Sequence, residues 1–131
     1  MPYDLKRLEG ALSACKDPSR VTLELRHQKW FSDEVFGLLN KFNVVFCHVD
    51  TPPFQLKEPV VTGNAAYVRL HGKDKGCDYN YTKLDLINIA KFMDALSEKG
   101  AKTVYTFFNN DGHAYAPKNA LELVKIKKFT I

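Results

Sequence analysis

The chain has 131 residues, 45% of them hydrophobic and 26% charged, with a formal net charge of +4. That length suits one domain spanning 1–131, and the composition is that of a globular protein rather than a disordered one. No apolar run approaches the roughly 20 residues that a membrane-spanning helix needs, and Met1 to Arg7 contain no apolar signal core, so a cytoplasmic protein with no membrane association is expected.

Cys15, Cys47 and Cys77 are odd in number and widely spaced, with no CxxC pair. This disfavours a disulfide framework and a zinc site, and Cys47, inside an apolar run, reads as a small buried hydrophobe. The lysines are dispersed except at Lys125-Ile126-Lys127-Lys128, and no nucleic-acid motif accompanies them, so nucleic acid is disfavoured as a partner.

In chain order, Leu5, Leu8, Leu12 and Cys15 fall at helical spacing, and Asp17-Pro18 ends that helix. Arg20 to Arg26 alternates with the period of a strand. Ser32-Asp33-Glu34 caps a second helix whose apolar face is Val35, Phe36, Leu38, Leu39 and Phe42. Asn43 to Val49 is β-branched and aromatic, a buried strand. Thr51 to Asn64, with three prolines and a glycine, reads as a long crossover loop. Ala65 to His71 predicts a third strand. Thr82 caps a long helix with the stripe Leu86, Ile89, Ala90, Met93 and Leu96, which Gly100 stops. Thr103 to Asn109 is the fourth strand, Asn110-Asp111-Gly112 a turn, and Pro117 the first residue of a last helix carrying Leu121 and Val124.

Alternating strands and helices predict an α/β fold with four mostly parallel strands, equivalent to half of a TIM-type (β/α) barrel. Such a barrel closes with eight strands, so four leave exposed edges. Residues two apart on a strand share a face. Glu24 with Arg26, His48 with Asp50, and Arg69 with His71 therefore pair near the C-terminal ends of three strands. Asn109, Asn110 and Asp111 end the fourth. Parallel α/β folds bind ligands outside that edge, so a polar rim is expected there, with a Glu24–Arg69 ion pair as its purely structural alternative.

The same residues resemble the YecE-like family, domain of unknown function 72. Leu23-Glu24-Leu25-Arg26-His27 followed by Trp30-Phe31 is similar to its "E-x-R-H, then S-W-F" signature, and Val49-Asp50-Thr51-Pro52 to "A-D-T-P". Tyr67 to Gly72 matches "Y-V-R-L-H-G", and Tyr79 and Tyr81 fit "Y-x-Y". Tyr105, Phe107 to Asp111 and Ala116 to Ala120 resemble "V-Y-x-F-F-N-N-D" and "A-P-x-N-A". The resemblance implies a (β/α) barrel of about twice this length, of which this chain is similar to the C-terminal half only. Cys47 and His48 stand where smaller or apolar residues are expected, and Lys29 replaces a family serine or proline. The resemblance carries no established reaction.

Three functions compete. The first is a ligand-binding or catalytic half-barrel acting on a small anionic or phosphorylated compound, as a hydrolase or other acid/base enzyme. Glu24, Asp50 and His71 are its candidate acid/base groups. Arg26 and Arg69 would clamp the anion, with His27, Trp30, Tyr67, Asn109, Asn110 and Asp111 as further binding residues. For Trp30, packing of a helix start is the stronger reading. No motif requires a cofactor. The second is a metal-assisted hydrolase, with a divalent ion on Glu24, His48, Asp50 and His71. The third is a non-catalytic subunit completing a barrel, either as a homo-oligomer or with a separately encoded N-terminal half.

Overall fold

The computed structural model describes residues 3–54, 56 and 58–128. Helix α1 (Leu5–Ala14) starts where the Asp4 carboxylate accepts from the Arg7 amide, and it buries Leu8 and Leu12. Strand β1 is only Thr22–Leu23, shorter than the 20–26 alternation predicts. Pro18–Arg20 form a 3-10 turn, and β1 is an edge strand paired only through Thr22 with Val45 and Leu23 with Phe46. With one neighbour, little holds its ends in the ladder.

Helix α2 (Asp33–Lys41) begins at the expected cap, Ser32, whose hydroxyl accepts from the Val35 amide; it buries Val35, Leu38 and Leu39 while Phe36 and Phe42 are half-buried. Strand β2 (Val45–Asp50) is buried at every position, its apolar and β-branched run lying in the middle of the sheet. The long loop to β3 (Ala65–Leu70) contains a cis Pro52–Pro53 bond. It is tied to β2 by Thr62, whose hydroxyl donates to the Val44 carbonyl and accepts from the Phe46 amide, each at 2.8 Å.

Helix α3 (Lys83–Glu98) opens with a complete capping box, Thr82 and Asp85 each bonding the other's backbone amide, and all five residues of its expected stripe are buried. Gly100 follows its end with φ +104°, the left-handed conformation a side chain would strain. Strand β4 (Thr103–Phe108) follows. Helix α4 (Tyr115–Lys127) begins two residues before Pro117, because a proline in the first turn removes an amide that has no intrahelical partner. Its inward residues are Asn119 and Leu123, four apart, whereas Leu121 is exposed and Val124 half-buried.

All four strands are parallel, in the order β1-β2-β3-β4. The fold is therefore the expected half-barrel-like α/β arrangement. Helices cover one face of the sheet. There Leu25, Val44 and Phe46 pack with α1 and α2 in one core, and Ala66, Val68 and Leu70 pack with α3 and α4 in a second. No helix among the described residues is long and apolar enough to cross a membrane.

Candidate functional site

The register assigns side chains to faces. Cys47 lies beside Tyr67, which lies beside Tyr105; Val49 lies beside Arg69, which lies beside Phe107. These share the face opposite the helices. Toward its C-terminal edge Glu24 reaches across β2: its carboxylate accepts from Arg69 Nη1 and from Arg26 Nε, both at 2.5 Å. Arg69 Nε also donates to Asn109 Oδ1 at 3.3 Å. One chain of polar contacts thus links the ends of β1, β3 and β4. The span over β2 is possible because Cys47 is small, its thiol 3.9 Å from Glu24. Burial and the neighbouring carboxylate push that thiol up to about 12. Burial also opposes the Glu24 charge, but the hydrogen bonds and charges of Arg26 and Arg69 prevail and hold the carboxyl below its ordinary range.

His71 follows on the same side. Burial and the charge of Arg69 lower its pKa, so the imidazole is neutral at pH 7. Its Nε2 is buried without a hydrogen-bond partner. The turn beyond it demands glycine, since a Cβ on Gly72 would lie 1.7 Å from the Gly76 carbonyl oxygen.

Asp50 and His48 are not part of this surface. Both project to the helix-covered side, one residue out of phase with Cys47 and Val49. The Asp50 carboxylate accepts from Tyr81 Oη at 3.1 Å, and the same hydroxyl accepts from the Gly72 amide at 2.9 Å. Burial raises the Asp50 pKa in spite of the Tyr81 bond and Lys73. It borders a cavity of about 220 Å³ with Lys73, Asp85 and Phe92. His48 donates from Nε2 to the Val60 carbonyl at 2.8 Å and packs edge-on against Phe46 and Phe92. Burial lowers it to about 4. The expected meeting of Glu24, Asp50 and Arg69 at one mouth is therefore corrected: Glu24 and Arg69 touch, and Asp50 stands behind them. The alternative metal set is separated by the same alternation. No group of three or more His, Cys, Asp or Glu among the described residues could hold a metal ion.

The other predicted binding residues divide. Tyr67 stacks on Phe107 on the open face, ring centroids 4.8 Å apart. Trp30 is 2% exposed in the α1–α2 core, against Tyr3, so it is a packing residue and not a binding one. His27 accepts through Nδ1 from the Lys29 amide and caps a short turn. Asn110 is fully buried and donates to the Tyr79 carbonyl and to Asn119 Oδ1, bracing the strand end against α4. Asp111 is exposed and makes no capping bond.

Sequence reasoning passed over the Asp85 network. Lys73 Nζ lies 2.5 Å and Tyr79 Oη 2.9 Å from its carboxylate, which also closes the α3 capping box. Burial opposes the charge, yet these bonds hold Asp85 at about 2. The signal was present in Tyr79, Tyr81 and the Thr82 cap. A cavity of about 500 Å³ also went unforeseen; it lies between Phe31 and Phe36 on one side and Phe54, Leu56 and Val60 on the other, with His48 in its wall.

A four-stranded parallel half-sheet with an ionic rim at its C-terminal edge is the class that these features define. The chain belongs to the DUF72 family, "Protein of unknown function DUF72", whose match runs over residues 1–129. It is similar to the crystal structure of a DUF72 family protein from Thermotoga maritima, at 26% identity and a TM-score of 0.83, covering 95% of this chain and 52% of that one. A DUF72 family protein from Enterococcus faecalis is similar in fold, at 19% identity and a TM-score of 0.77, covering 97% and 52%. The chain thus spans about half the length of these solved relatives. No curated protein matches the sequence.

Proposed function

We propose that the open-face rim is a binding site for a small anion, a carboxylate or phosphate, anchored by Arg69 and Arg26. The supporting observation is the Glu24–Arg69–Asn109 linkage across three strands. Glu24 holds two guanidiniums in place, while their remaining N–H donors stay available. Two guanidiniums against one carboxylate leave the rim net positive. In the same reading His71, neutral and on the Arg69 side of the sheet, forms part of the wall of the site. Glu24 is ionised and doubly bonded, and so orients rather than transfers protons. Asp50 braces Tyr81 from behind.

The test is an NMR titration of the protein with inorganic phosphate. Shift changes centred on Arg69, His71 and Asn109, abolished in Arg69→Ala with the circular dichroism spectrum unchanged, support the assignment. Equal phosphate binding by a folded Arg69→Ala would overturn it.

A further inference from the structure

Consecutive parallel strands are usually joined through a helix. Here β1 reaches β2 through α2 and β3 reaches β4 through α3, but residues 51–64, between β2 and β3, include no helix among those described. The helix-covered side of the sheet is therefore incomplete behind β2. The Phe46 and His48 rings that β2 sends there meet Phe36 of α2 and Phe92 of α3 at the sides. Above them, where a crossover helix would lie, is the cavity of about 500 Å³, with Phe54 and Val60 of the loop across it. Its size falls within the roughly 300–1,000 Å³ of small-molecule sites. Long connections without secondary structure of their own are commonly functional.

The chemistry of the walls selects the kind of occupant. Phe54 stacks on Phe31 with ring centroids 5.5 Å apart, Phe31 meets Phe46 edge-on at 5.6 Å, and Phe46 meets Phe36 at 5.3 Å. A run of aromatic rings presents partly negative faces, which attract cations. His48 adds no charge at pH 7, because burial lowers it to about 4. Two carboxylates, Asp33 and Glu58, stand exposed at the mouth, and neither joins an ion pair among the described residues. No lysine or arginine is among the described residues of the wall. An anion would be repelled there, and a neutral apolar ligand would leave both carboxylates unused.

We propose that the cavity between α2 and the β2–β3 crossover binds a small organic cation with an apolar body, an amine or quaternary ammonium, its charge held between the aromatic wall and the Asp33 and Glu58 carboxylates. This site lies behind the sheet and shares no residue with the anion rim in front, so either assignment can fail without the other.

The test is an NMR titration with benzyltrimethylammonium, set against benzyl alcohol and phenylacetate as neutral and anionic counterparts. At millimolar concentration the cation is expected to shift the resonances of Phe31, His48 and Phe54, and phenylacetate to leave them unmoved. Asp33→Asn with Glu58→Gln should weaken cation binding about tenfold. Glu98→Gln with Glu122→Gln, which changes the net charge equally on exposed positions elsewhere, should not. If Asp33→Asn disturbs the circular dichroism of the fold, Glu58→Gln alone is read the same way, at about threefold. Benzyl alcohol or phenylacetate binding as tightly as the cation would overturn the proposal. So would the absence of shifts at these three residues, or an equal loss of binding in the two double variants.

Discussion

The two faces of the sheet are made by the same strands, and they differ in every physical respect that matters here. Behind β3, Ala66, Val68 and Leu70 are at most 1% exposed against α3 and α4. In front, one residue out of step, Tyr67 and Arg69 are half-buried and their β4 neighbours Tyr105 and Phe107 are exposed. The rear face holds this chain together. The front face carries charge and bare aromatic surface that contribute little to its own stability, so substitutions on the two faces should separate stability from binding.

The largest expected effect is on the rear. Leu86→Ala, at a site with no exposed surface, should lower the unfolding free energy by about 3 kcal/mol in urea melts, since loss of a buried leucine leaves a cavity. A cost below that of Phe107→Ser would erase the contrast. Acidification should come next. His48 titrates at about 4 folded and at 6.5 unfolded, so between these values the unfolded chain binds a proton that the folded one refuses. Stability is then full above about pH 6.5 and declines as pH falls to about 4, by about 3 kcal/mol. His48→Leu should flatten that decline, and an equally steep one in the variant would assign it elsewhere.

Tyr81→Phe removes the hydroxyl that donates to the Asp50 carboxylate and accepts from the Gly72 amide. A loss of about 1–3 kcal/mol in thermal or chemical melts is expected, the cost of buried polar groups left unsatisfied. On the front face, Arg69→Ala should weaken phosphate binding by about tenfold or more while costing about 1 kcal/mol of stability, because Arg26 still partners Glu24. Phe107→Ser should be smallest, under about 1 kcal/mol in the chain alone, for it loses one ring stack on an exposed surface.

Much of this architecture was legible along the chain. The Ser32 and Thr82 caps, the α3 stripe and the order of strands and helices all follow from short-range pattern. Local chemistry decides a cap, and periodicity decides a buried stripe. Face assignment was less legible. His48 and Asp50 do share a face, as alternation requires, but whether it is the face of Arg69 depends on β2–β3 register, which spacing within one strand cannot supply. Trp30 and Asn110 likewise look alike as binding or packing residues until burial is known. The start of α4 moved because a proline in the first turn is compatible with either starting point.

By itself, then, the sequence determined which segments are helix or strand, and which of them have an apolar side, because those properties arise from neighbours a few residues apart. The tertiary structure alone decided that Glu24 spans β2 to reach Arg69, that Asp50 turns away toward Tyr81, and that one aromatic face stays bare. These depend on register and on residues up to 45 positions apart in the chain, whose meeting no local pattern encodes.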